Sequence, residues 1–480
     1  MTTAAGRLAG ARDVAAAAAL AFALGMVAAA RPAWMVLGLG AAVAGALLVR
    51  GRIELPLAAW VVFLPVHGGL CYSLFVLARS GLPAATPYDA GVAFLLLAFA
   101  FHPRVEAFRG PLALAAGLSV TIAAAHVVVG AGLGRPAVYT EARGFLYAVL
   151  FFPFVTIFRD GERLLGLVRR IALPALAVVV VFGALDLSGA LAPWSWTYRS
   201  GIRFMNLKEG MSLAKRYTFL NPAAALLLVG MLGALFRGRQ GTGWERRLQA
   251  LGVVLAVMGL LLDETRSFHV GLAVACAVAA ILGAFGGGRW TRRLGSGWLP
   301  VVTVGAAAVL WLVEPRLVSG ALERWSRAFS TDASVARRVE EVRTFFASFQ
   351  RAPILGQGFG VEVSVFAPDA HGYLQVSHAH NEFLTLLHSI GLLGAGAFGF
   401  LFVGVLLTGL RNLARLRARP ELFHLQVNAL AVFLALAVIG TASPKLTDPV
   451  TAPLAAALAA ATAVLGRAPG APARGAEAAA

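Results

Sequence analysis

The side chains best suited to chemistry in this chain sit late in the sequence, in Ser377-His378-Ala379-His380-Asn381-Glu382. An imidazole titrates near pH 6.5, so His380 is able to take a proton from a hydroxyl close to neutrality. Three guanidinium groups stand upstream: Arg216, followed by Asn221-Pro222; Arg266, in Glu264-Thr265-Arg266-Ser267; and Arg338, beside Arg337. A guanidinium grips phosphate oxygens through two parallel bonds, so these residues suit an anionic ligand. His378 and His380 also form a His-X-His pair, but no Asp-X-Asp or His-Glu-X-X-His accompanies it, and no metal site is expected. Glu340 and Glu341 read as the solvated face of a helix over 334–350, with no sign of paired-carboxylate glycosidase chemistry. The run Pro353-Ile354-Leu355-Gly356-Gln357-Gly358-Phe359-Gly360 marks a tight turn. It lacks the preceding strand and the following Lys-Ser/Thr of a phosphate-binding loop.

The elements that must position these residues are apolar. Of 480 residues, 59% are hydrophobic and 13% charged, where a soluble domain of ordinary composition carries about 25% charged residues. Lipid is therefore the expected solvent, and the fold class is an all-α polytopic membrane protein. Uncharged apolar runs cover 14–30, 33–49, 55–78, 111–131, 171–185, 222–236, 267–285, 298–313, 383–410 and 449–466. Weaker runs at 90–101, 144–158, 248–262 and 422–440 bring the expectation to about 12–14 transmembrane helices. Residues 1–186 form the N-terminal spans, 187–221 a first translocated segment, 222–313 the central spans, 314–381 a large loop with short helices, 382–466 the C-terminal spans and 467–480 a disordered tail. Within the large loop, Leu317–Ala328 reads as an interfacial helix, and the helix over 334–350 is stopped by Pro353.

Orientation follows from the short loops. Those carrying Arg50 and Arg52, Arg104 and Arg109, Arg159 to Arg170, Arg237 to Arg247, Arg289 to Arg293 and Arg411 to Arg419 fall on one side of the alternating spans. By the positive-inside rule that side is cytoplasmic, both termini lie there, and 187–218, 263–266, 314–381 and 441–448 lie outside. Topology accounts for most short-loop Arg residues behind the net charge of +18, which argues against nucleic acid as a partner. Arg199, Arg203, Lys208, Lys215 and Arg216 and then Arg316, Arg324, Arg327, Arg337, Arg338, Arg343 and Arg351 form an outer excess that the rule does not demand. Cys71 and Cys276 both fall in predicted spans, so neither a disulfide framework nor a thiolate metal site is supported.

Three spans then begin on the outer side, at 222, 267 and 382. Asn221 caps the first with Pro222 at its first position, Asp263 is a cap for the second with Arg266 in its first turn, and Asn381 caps the third directly after His380. Helix starts present unpaired N–H groups and about half a positive charge, so three of them with two Arg side chains suit a diphosphate.

His380-Asn381, nine residues, Gly391, two residues and Gly394 resemble the signature of the O-antigen ligase and O-antigen polymerase superfamily. Arg338 with Pro353 and Gly356-Gln357-Gly358 is similar to that family's Arg…Pro-X-X-Gly-X-Gly stretch. Arg216 with Asn221-Pro222 resembles its Arg…Asn-Pro element, and Thr265-Arg266 its Thr/Ser-Arg element. The resemblance spans roughly 210–410; it departs at Val342, where an aromatic residue is usual, and at Thr265, where Ser is more usual. It implies a GT-C-like glycosyltransferase of the bacterial inner membrane, acting on the periplasmic face without metal or cofactor. The implied donor is an undecaprenyl-diphosphate-linked glycan, and the acceptor lipid A-core, a polysaccharide or a protein. His380 is then the catalytic residue and Arg216, Arg266 and Arg338 the diphosphate ligands, with Asn221, His378, Asn381, Gly391 and Gly394 in support. The rival readings are a polymerase or a protein O-oligosaccharyltransferase of the same superfamily. A flippase or transporter is a further rival, disfavoured because Asp89, Asp186 and Asp263 sit only at span ends.

Overall fold

The computed structural model describes residues 105–135, 138–187, 222–237, 242–262, 266–284, 333–367, 372–443 and 451–467, with isolated positions besides. The runs at 14–30, 33–49, 55–78 and 298–313, the helix at 317–328, Asp263 and most of the first translocated segment lie outside the described residues, as does the tail beyond Arg467. The described chain is largely helical. Its helices are α1 (Pro111–Gly132), α2 (Val138–Leu146), α3 (Phe151–Phe158), α4 (Gly161–Leu187), α5 (Pro222–Arg237), α6 (Gly243–Leu262), α7 (Arg266–Ala284), α8 (Ala333–Arg351), α9 (Glu382–Arg415), α10 (Pro420–Gly440) and α11 (Ala452–Leu465). A single 3₁₀ turn, Tyr147–Leu150, joins α2 to α3, so the expected span at 144–158 starts earlier and is built from three pieces.

Helix starts follow local chemistry. Proline opens α1 and α10, where its missing N–H is one that a helix leaves unpaired anyway. Thr242 and Glu245 form a reciprocal capping box at α6: Thr242 N–H donates to the Glu245 carboxylate at 2.6 Å, and Glu245 N–H to the Thr242 hydroxyl at 3.3 Å.

Among the described residues, Pro111–Gly132, Glu141–Phe158, Ser267–Ala284, Glu382–Arg415 and Pro420–Gly440 are long and apolar enough to cross a membrane. Helix α10 is the axis of the bundle, almost wholly buried against α4, α5, α7, α9 and α11. Helices α1 and α9 pack on each other but turn Leu114, Val128, Val129, Leu392, Leu393, Phe400, Val403, Leu407 and Leu410 outward. An apolar exterior of that extent fits lipid contact and marks a polytopic membrane protein. Where α9, α10 and α11 meet, Asn412 Nδ2 donates to Gln426 Oε1 at 3.1 Å and to Thr462 O at 2.7 Å, a buried polar knot of the kind that ties spans together in lipid.

Contacts between connecting segments mark the two ends of the bundle. At one end Arg467 reaches Arg159 O and Arg419 lies 3.9 Å from Glu162. At the other, Arg135 reaches Gln357 O and Asn381 reaches Thr441 O.

The large loop does not contain helices alone. Its C-terminal part holds an antiparallel hairpin of β1 (Val363–Ala367) and β2 (Gly372–Val376), in register Val363 to Val376 and Val365 to Leu374. Val363 and Val365 alternate with Ser364 and Phe366, and the inward pair packs on Phe345, Ala379 and Leu384. This is a correction to an all-helical loop, and it follows from strand periodicity over a segment only five residues long.

Candidate functional site

The site is assembled at the head of α9. Asn381 adopts the extended backbone of an N-cap, and its Oδ1 accepts the Leu384 N–H at 3.0 Å, as its place in the sequence predicts. Its Nδ2 donates to Thr441 O at 3.1 Å, and the buried carboxylate of Glu382 accepts the Leu446 N–H at 2.7 Å. The chain leaving α10 is thereby fastened beside His380. The Thr385 hydroxyl steadies the preceding turn by accepting the Ala379 N–H at 3.0 Å.

Helix α8 supplies the partner of His380. Glu341, Phe345 and Ser348 fall on one face at spacings of four and three residues, and all three are buried. The Glu341 carboxylate, 2% exposed, lies with its oxygens 2.8 and 2.9 Å from His380 Nδ1. It also accepts the His380 main-chain N–H at 3.0 Å and the Arg337 Nε–H at 3.2 Å. Burial works against its charge, but the hydrogen bonds from His380 and the electrostatic attraction of His380 and Arg337 outweigh burial and hold the carboxyl below its usual range. The placement of Glu341 on a solvated face is thus overturned. Glu341 lies one helical turn before the fully buried Phe345, so the apolar stripe carries it inward, while Glu340 stays at the surface.

The glycine run explains the spacing between His380 and Gly391. Gly391 (φ 63°, ψ −168°) breaks α9 into two helical halves. Pro353–Gly358 docks into the break: Gln357 N–H donates to His388 O at 2.7 Å, Gly358 N–H to Ser389 O at 2.9 Å, Leu392 N–H to Pro353 O at 2.8 Å and Leu393 N–H to Ile354 O at 3.1 Å. Main-chain groups orphaned by the break are satisfied by the loop, as a low-dielectric setting demands. Gly394 lies one turn beyond, against the Ile390 side chain. His388, wholly buried in the first half of α9, faces Val361 O through Nε2 at 3.3 Å and meets Phe345 edge to face.

Sequence reasoning missed the groups that hold this loop from the far side. Arg135 donates to Gln357 O at 2.8 Å and to Phe359 O at 3.3 Å, Glu141 accepts the Gly360 N–H at 2.6 Å, and His126 Nε2 lies 2.7 Å from Leu355 O. The available signal was three ionisable groups in or beside apolar runs near 111–158, which rarely stand there without partners.

The expected anion ligands divide. Arg216 and Asn221 lie outside the described residues, and Arg266 is described only as the first backbone position of α7. Gly271, near the start of α7, packs on Ile439, close to Thr441 and hence to Asn381, so the heads of α7 and α9 open toward the same end. Arg338 is exposed on α8; its neighbour Arg337 is the guanidinium that reaches Glu341. His378 lies at the rim of the site, where desolvation by the surrounding protein and then the neighbouring His380 keep its imidazole below the usual value.

Fold and site together define a polytopic membrane protein that carries an imidazole, backed by a buried carboxylate, at the head of a broken span. Residues 251–399, about a third of the chain, match the family described as O-antigen ligase. The matched stretch contains Arg266, Arg338, Glu341, the glycine loop, His380, Asn381, Gly391 and Gly394, and leaves Arg216 and Asn221 outside it. No curated protein matches the chain.

Proposed function

We propose that this protein is a glycosyltransferase of the O-antigen ligase type, moving a glycan from undecaprenyl diphosphate to an acceptor hydroxyl on the periplasmic face of the inner membrane. The observation that carries the reading is the His380 imidazole at the capped head of α9, within a segment that matches the family. His380, 44% exposed, stands where a substrate hydroxyl has access. In the proposed step the hydroxyl oxygen attacks the anomeric carbon, the bond from that carbon to the diphosphate oxygen breaks, and His380 accepts the hydroxyl proton. Single displacement inverts the anomeric centre. Arg216 and Arg266 take up the charge that develops on the departing diphosphate, and Arg338 serves as a further ligand from the loop. No metal or cofactor takes part in this scheme.

The test is transfer by the purified protein from an undecaprenyl-diphosphate glycan to lipid A-core, to a second glycan chain or to a protein. His380→Ala and Arg266→Ala are each expected to slow transfer by on the order of 10²-fold or more, and a chelator is expected to leave the rate unchanged. Wild-type rates in both variants would overturn the proposal. The acceptor that is consumed separates ligase from polymerase and from protein glycosylation.

A further inference from the structure

A buried carboxylate that bonds only one nitrogen of an imidazole does more than anchor a loop. An ionised carboxylate only accepts hydrogen bonds, and the two oxygens already take the His380 main-chain N–H and the Arg337 Nε–H, so the ring nitrogen that faces them carries the proton. In a neutral ring that leaves the lone pair on the other nitrogen. We infer that Glu341 is the positioning residue of this site: it holds His380 in the tautomer protonated at Nδ1, so that Nε2 is the nitrogen that receives the proton of the attacking hydroxyl. The inference rests on the proposed role of His380 and adds to it the atom that reacts and the residue that selects that atom.

Three features of the geometry support it. Both carboxylate oxygens lie within 2.9 Å of Nδ1, so small rotations of the ring do not free that nitrogen. The His380 main-chain N–H bonds the same carboxylate at 3.0 Å, which fixes the backbone from which the ring projects. Arg337 Nε–H donates to the same carboxylate at 3.2 Å, and Phe345, one turn along α8, is fully buried on the same helix face. The ring therefore has one face tied to α8 and its remaining nitrogen turned away from the tie. The other ionisable groups near the ring are otherwise engaged or exposed: Glu382 accepts the Leu446 N–H, and His378 lies on the surface of the loop.

A purely structural clamp between α8 and the loop would use the same bonds, so the decisive readout is the tautomer. In ¹⁵N-labelled protein, with the His380 signals assigned by their loss in His380→Ala, the neutral ring is expected to show a protonated Nδ1 and a bare Nε2. Glu341→Gln keeps the shape and one acceptor oxygen but brings an amide donor, and should move the population toward the opposite tautomer. Transfer by Glu341→Gln should fall by on the order of 10²-fold or more in kcat with the KM for the lipid-linked donor little changed. Glu341→Asp restores a carboxylate, should recover part of that loss, and keeps the test decisive if the glutamine variant does not fold. A bare Nδ1 in the wild type, or full kcat in Glu341→Gln while His380→Ala is inactive, would overturn the inference alone. Full activity in His380→Ala would instead sink the proposed function, and the tautomer measurement does not depend on turnover.

Discussion

Gly356 and Gly391 lie against each other with both main chains in the left-handed region, at φ 73° and φ 63°, and neither has room for a Cβ. A Cβ on Gly391 would collide with Ile354 O and the Gly356 N–H, and one on Gly356 would meet the main chain of Ser389, Ile390 and Gly391. The four loop-to-helix hydrogen bonds depend on that close approach.

Gly391→Ala is expected to be damaging for two reasons at once. Backbone strain in a sparsely populated region costs about 1–3 kcal/mol, and the clash pushes the loop off the break in α9. The purified variant should unfold at a lower temperature and lose more than about tenfold in transfer rate, since misplacing a site by an ångström costs on the order of 10²-fold. Gly396→Ala, five residues along the same helix with open space around it, is the control and should behave as wild type. Equal behaviour of the two variants would reject this account of the break.

The Glu341 carboxyl sits below its usual range, which fixes the sign of its pH dependence. A depressed folded-state value adds stability that is fully present above the ordinary carboxylate range and is lost as pH falls through the depressed value. The thermal stability of the wild type should therefore exceed that of Glu341→Gln near neutrality, with the gap closing on acidification. A gap that persists unchanged once the pH is well below the carboxylate range would contradict the pairing with His380 and Arg337.

Asn381 has two separable duties, which two substitutions can divide. Asn381→Ala removes the cap and the bond to Thr441 O and should cost about 0.5–2 kcal/mol from the cap alone. Asn381→Asp keeps the oxygen that accepts the Leu384 N–H but loses the amide that donates to Thr441 O. Calorimetry should rank the aspartate variant between wild type and alanine. If transfer falls equally in both, the link to Thr441 rather than the cap positions His380.

The parts of this architecture legible in the sequence are those set by neighbours along the chain. The helix expected over 334–350 with a stop at Pro353 is found as Ala333–Arg351, and Asn381 caps α9 where side-chain chemistry says it should. Spans at 111–131 and 267–285 follow from uncharged apolar runs, and the one at 422–440 from a weaker run interrupted by His424, Gln426 and Asn428. What escaped depends on partners far away in sequence. The break at Gly391 hides inside a continuous apolar run because the bonds that permit it come from residues some 35 positions earlier. Glu341 looked solvated because its stripe was read by charge and not by its phase relative to Phe345. The hold of Arg135 and Glu141 on the glycine loop bridges more than 200 residues and leaves no local trace.

The docked loop also acts as a ruler. Because Pro353–Gly358 grips α9 at residues 388–393 while Glu341, on the helix leading into that loop, grips His380, the chain is measured from two sides against one fixed length. One residue added between Asn381 and Gly391 would rotate His380 by about 100° around the helix axis and carry it away from Glu341. Extra residues between β1 and β2 would leave both grips untouched. Length in this protein is therefore free on the hairpin and rationed on the helix, so that a deletion scan would trace the outline of the site without touching a single reactive side chain.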